Sequence, residues 1–119
     1  MADRGADRAI DLARRIQGLP RRRSRVFGVG ALNDVQWDML VHLFVAENDG
    51  EHTPLASLSI GSGAAVEDAR RWVNDLVERR MIVVLSEDGY DMELAGLTAL
   101  ARSRVIRSLV GEPSQDDPA

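Results

Sequence analysis

The residues with the most chemical reach in this chain are its arginines. All fifteen basic residues among the 119 are arginine, lysine is absent and so is cysteine. That excludes Schiff-base and phosphate-loop lysine chemistry, thiol nucleophiles, thiolate metal sites and disulfides. Arginine instead offers a planar, permanently charged fork that fits phosphate and the O6/N7 edge of guanine. Arg70-Arg71 stand side by side, and Arg21-Arg22-Arg23-Ser24-Arg25 form a second cluster. Each has a plainer alternative: Arg70-Arg71 as ion pairs with Glu67 or Asp75 at helical spacing, and Arg21–Arg25 as a solvated cluster balanced by the acidic segment after it. His42 and His52 lie near Glu47, Asp49 and Glu51, but the spacing matches no metal-ligand motif. No Ser-His-Asp order, phosphate loop or paired-carboxylate cleft is apparent, so the expectation is a non-enzyme with no cofactor and no metal.

The charge is segregated beneath a net value of −4. Residues 1–32 carry eight Arg against three Asp, whereas 33–63 carry five acids and no base. Residues 64–80 are balanced, 81–97 hold Glu87, Asp88, Asp91 and Glu93 without a base, and 98–110 add Arg102, Arg104 and Arg107. An acidic chain can still bind nucleic acid if its bases gather on one face. With 45% hydrophobic and 29% charged residues, the composition is that of a globular domain. No apolar run approaches the roughly 20 residues of a membrane span, and Met1–Asp7 shows no export-signal pattern. A cytoplasmic protein with no membrane partner is expected.

These side chains must be positioned by local structure. Ile10, Ala13, Ile16 and Leu19 recur at helical spacing over 6–19, with Pro20 expected to end or bend that helix. Gly28 and Gly30 mark a loop. Asn33 followed by Gln36 predicts a capped helix start, Trp37, Leu40, Val41 and Phe44 its apolar stripe, and Asn48-Asp49-Gly50 its end. Thr53-Pro54 predicts the start of a short helix over Leu55–Ser59. A longer helix over about 65–80 follows Gly61-Ser62-Gly63, with Ala69, Val73, Leu76 and Val77 on one side. Met81–Leu85 and Tyr90–Leu94 read as strands joined by a turn at Glu87-Asp88-Gly89. Thr98 caps a last helix through Leu109, and 111–119 reads as a disordered tail. The fold class predicted is mainly α with a small β-hairpin, a winged helix-turn-helix flanked by N- and C-terminal helices. Its divisions are 1–32 as a basic dimerisation arm, 33–97 as the winged helix-turn-helix and 98–110 as a C-terminal dimerisation helix.

Several stretches also resemble the MarR-like winged helix-turn-helix transcriptional regulators, in particular an alphaproteobacterial branch. They are Arg22–Phe27, Trp37–Leu40, Ser57–Gly63 and Ala69–Val73 with Leu76, and Leu97-Thr98 at the entry to the last helix. The resemblance covers roughly residues 10–110 and implies a homodimer formed by the first and last helices, with double-stranded DNA as partner. It places helix 65–80 in the major groove, giving DNA contacts at Glu67, Asp68, Arg70, Arg71 and Asn74. Thr53 and Ser62 would donate to phosphates at helix N-termini. A transcriptional repressor is the implied function, with a small-molecule effector allowed for and Trp37 and Phe44 open as either core or effector pocket. Two features depart from the branch: Glu67 and Asp68 stand where hydroxyl residues are common, and the turn between the strands carries acids in place of a base. They keep an alternative open, a winged-helix protein–protein interaction module with little or no DNA binding, docking a basic protein through its acidic wing.

Overall fold

A computed structural model describes residues 4–28, 30–61, 65–86 and 92–110. The order is α1 (Arg4–Phe27), α2 (Asp34–Asn48), β1 (Thr53–Pro54), α3 (Leu55–Gly61), α4 (Val66–Glu78), β2 (Ile82–Ser86), β3 (Glu93–Leu97) and α5 (Ala99–Val110). The chain divides into two units, one holding α1 with the end of α5, the other spanning Leu32–Val105. The fold is mainly helical with one small antiparallel sheet, as the sequence predicts.

In the larger unit the local signals do what their chemistry dictates. The Asn33 side chain accepts from the Gln36 N–H at 2.8 Å, and Gln36 Oε1 accepts from the Asn33 N–H at 3.2 Å, closing a capping box at the start of α2. The helix ends at Gly50 (φ 73°), where the Gly50 and Glu51 N–H groups turn back to the carbonyls of Glu47 and Ala46. Thr98 caps α5 by accepting from the Ala101 N–H at 3.1 Å. Leu40 and Leu43 of α2, Leu58 of α3, Ala69, Val73 and Leu76 of α4, Ile82 and Leu94 of the sheet, and Val105 of α5 are all buried in this unit's core.

The end of α4 uses the same paired hydrogen bonds as α2, from Arg80 to Val77 and from Met81 to Leu76, but its left-handed residue is Arg80 at φ 61°. A side chain there crowds its own carbonyl, a strain glycine does not have. Arg80→Gly should therefore raise stability by about 0.5–1 kcal/mol, read as a higher urea midpoint at unchanged slope.

The sheet corrects the predicted two-stranded hairpin. It has three strands in the order β1-β3-β2, with Thr53 opposite Ala95 and Pro54 opposite Leu94, while Ile82–Ser86 runs against Leu97–Glu93. Thr53-Pro54 thus forms an edge strand rather than a helix cap, an edge being where proline's missing N–H is tolerated. β3 is the central strand and starts later than predicted, at Glu93; Leu94, Ala95 and Gly96 are buried in succession, so alternation is not its signature. The turn at 87–89, with Tyr90 and Asp91, lies outside the described residues, as do Ser62 and the tail 111–119.

In the smaller unit α1 runs unbroken through Pro20 to Phe27, so Arg21–Arg25 is helical and not a segment beyond the helix. Proline removes one helical hydrogen bond and crowds the carbonyl four residues back. Arg22 makes a separate bond in this stretch: its Nη2 donates to the Arg15 carbonyl at 2.8 Å. The guanidinium can lie there because residue 18 is glycine; a Cβ would stand 2.6 Å from Arg22 Nη1. Its Nε donates to the Ser108 carbonyl at 2.9 Å, one of the last-turn carbonyls of α5 without an intrahelical donor. Arg22 is a structural clamp, neither a solvated charge nor a free phosphate contact.

Candidate nucleic-acid interface

Helix α4 presents two chemically distinct faces. Ala69, Val73 and Leu76, spaced i, i+4, i+7, are buried. Glu67, Arg70, Arg71 and Asn74, spaced i, i+3, i+4, i+7, are exposed along the opposite side, with Asp68 beside them. Five of the seven residues singled out from the sequence therefore lie together on one exposed surface. Thr53 does not join them: it is 6% exposed in β1, and its burial removes it from a solvent-facing phosphate contact. Ser62 falls outside the described residues.

Several of the charges on α4 have a local reason as well. Ala65 at the N-cap provides no side-chain hydrogen bond, leaving first-turn N–H groups without that partner. Glu67 and Asp68 place negative charge against this positive helix end, a stabilising arrangement of about 0.3–1 kcal/mol each. Arg71 Nη2 then pairs with Asp68 Oδ1 at 2.6 Å, and its Cζ sits 5.0 Å from the Trp72 ring centroid. The acid partnering Arg71 here is Asp68, not Glu67 or Asp75; Asp75 pairs with Arg79 at 3.1 Å. Arg70 instead lines a groove of about 450 Å³ with Asn74, Val73, Leu55 and Ser59, rimmed by Met92 and Glu93 of the hairpin.

A residue the sequence reading assigned only to capping fixes the pose of α4. Gln36 is 3% exposed, and its Nε2 donates to the Trp72 carbonyl at 3.2 Å and to Asp75 Oδ2 at 2.8 Å. One amide thus caps α2 with its oxygen and grips α4 with its nitrogen. The only sequence hint was the use of Gln, which has donors, where a capping box also accepts Glu.

A short helix, a longer helix with one exposed polar stripe, and an antiparallel hairpin directly after it form a recognisable set. The solved structures that share it include MepR, a transcription regulator of the multidrug efflux pump MepA in Staphylococcus aureus, at TM-score 0.61 and 10% identity over 90% of this chain and 74% of that one. A probable transcriptional regulator from Pseudomonas aeruginosa matches at TM-score 0.58 and 18% identity, covering 87% and 74%. RV1404 from Mycobacterium tuberculosis matches at 0.59 and 24%, covering 90% and 73%. The fold is a winged helix. No protein-family model and no curated protein matches the chain.

In this winged helix the hairpin β2–β3 is the wing, and its base is anchored by Glu47, which the sequence places only among the acids near His42 and His52. Glu47 of α2 accepts from the Leu97 N–H at 2.8 Å through Oε1, while Oε2 lies 3.5 Å from Arg102 of α5. Gly96 lies beside this contact, its Cβ position being at ordinary van der Waals distance, 3.5 Å, from Glu47 Oε1. Arg102 also covers the Phe44 ring at 5.2 Å, and Trp37 is buried. Trp37 thus packs in the core of this winged helix, whereas Phe44 is half-buried beneath Arg102.

Proposed function

We propose that this winged helix is a DNA-binding transcriptional regulator of the MarR-like type, of the alphaproteobacterial branch its sequence resembles. It acts by binding rather than catalysis, as a homodimer and as a repressor, with α4 in the major groove and the wing beside the backbone. The observation that carries this reading is the exposed stripe Glu67–Arg70–Arg71–Asn74, held against a rigid core by Gln36. Its chemistry suits base edges: Arg for guanine O6/N7, Asn for adenine N6/N7 and Glu for cytosine N4. The likeness in fold to transcription regulators supports the same reading.

Arg70 is the better-placed of the two arginines, because Arg71 is engaged by Asp68. Arg70→Ala should weaken binding to a selected duplex by about 1–3 kcal/mol and relax preference at one base pair, measured by fluorescence anisotropy at fixed salt. Affinity unchanged by Arg70→Ala and Asn74→Ala would remove α4 from the DNA contact surface.

Residues 1–32 and 98–110 provide the dimer in this proposal. Among the described residues of α1 only Phe27 is buried, while Leu12 and Ile16, one turn apart, are 58% and 59% exposed. Ile106 and Val110 on α5 are exposed as well. An isolated helix that buries so little is marginal in water and is stabilised by packing its apolar stripe on a partner. MepR has been solved bound to ethidium bromide and PefR in a heme-free form, which supports retaining a small-molecule effector in the proposal.

A further inference from the structure

We infer that Asp68 is a specificity-determining residue, which withholds Arg71 from phosphates and releases it only to a base that can compete. The inference rests on the proposed DNA-binding reading and deepens it. Two arginines are exposed side by side on α4, yet their states differ: Arg71 is held by Asp68 at 2.6 Å and lies 5.0 Å from the Trp72 ring. Arg70 instead reaches the groove beside Asn74.

The size of the grip decides what can break it. Both partners of the pair are more than half exposed, 66% for the Arg71 side chain and 52% for Asp68. A pair so open to water shifts an equilibrium by at most about fivefold. One solvated phosphate contact is of similar strength and adds the repulsion between phosphate and Asp68, so it does not displace the carboxylate. A bidentate guanine contact is worth roughly five- to a hundredfold, so it does. Asp68 thereby lowers affinity for DNA in general more than affinity for the right sequence. Glu67, in the same turn with the same charge, has no such geometry with Arg71 and supplies the natural control.

The test measures binding of the full chain to a random-sequence 30-base-pair duplex by fluorescence anisotropy between about 50 and 200 mM salt. Each phosphate neutralised contributes about −0.9 to the slope of log K against log salt. Asp68→Asn is expected to tighten binding about five- to tenfold at the lowest salt and steepen the slope by about 0.9 per protomer. Glu67→Gln, which removes the same charge and leaves Arg71 paired, should tighten it less than about threefold at unchanged slope. Adding Arg71→Ala to Asp68→Asn should restore the shallower slope. Equal effects of Asp68→Asn and Glu67→Gln, or a steep slope that survives Arg71→Ala, would overturn the inference and leave the DNA-binding reading intact. Absence of duplex binding by both the native chain and Asp68→Asn at the lowest salt would overturn both.

Discussion

Replacing Gln36 by glutamate is expected to destabilise the fold by about 2–4 kcal/mol, more than replacing it by alanine. Glutamate keeps the oxygen that accepts from Asn33 and loses the amide hydrogens that reach Trp72 and Asp75. It also sets a second carboxylate against Asp75 Oδ2, where the amide nitrogen now sits at 2.8 Å. Asp75 is about a third exposed, which screens part of the repulsion and holds the estimate below that for a fully buried pair. Alanine loses the same hydrogen bonds without adding charge, so about 1–3 kcal/mol is expected for it. Urea unfolding of the two variants measures the difference. Equal losses would mean that Asp75 takes no part in fixing α4. The consequence extends to function, because Gln36 orients the helix whose outer stripe is proposed to read bases, and small displacements of such a scaffold misplace every contact together.

The second large effect concerns α1. Ile16→Glu is expected to raise the dimer dissociation constant at least a hundredfold, converting a dimer at micromolar concentration to monomer in sedimentation velocity. A charge buried in an apolar interface without a partner is among the most disruptive substitutions available. DNA affinity should fall with it, since a monomer engages one half-site and loses the linked second contact. Helicity of the larger unit should persist, because Ile16 belongs to the other unit. A native chain that sediments as a monomer, or a variant that remains dimeric, would take the α1 stripe out of the interface.

Much of this architecture was legible because it is written in short-range signals. The Asn33–Gln36 spacing marks the start of α2, Gly50 its end, Thr98 the cap of α5, and the 69–73–76 spacing separates the faces of α4. The departures have physical causes. Thr53-Pro54 is too short a strand to show any period, and its register is set by β3 some forty residues later. Pro20 carries a breaker's chemistry, yet α1 continues through it to Phe27, a departure that no local pattern announces. The polar side chains that hold elements together act across long separations: 39 residues for Gln36 to Asp75, 50 for Glu47 to Leu97 and 86 for Arg22 to Ser108. No local pattern carries those pairings. The acidic first turn of α4 looked opposed to DNA when set beside phosphates alone. With Ala65 as an empty cap and Arg71 as a neighbour, Glu67 and Asp68 also stabilise the helix start.

The central claim is that two copies of α4 read DNA as a pair. Repeated selection of the full chain from a randomised duplex library tests this most directly. The account predicts enrichment of one sequence with two-fold symmetry, whose half-sites lose affinity on Arg70→Ala. A pool that remains random after selection, or an enriched site with a single half and no dependence on Arg70, would contradict it.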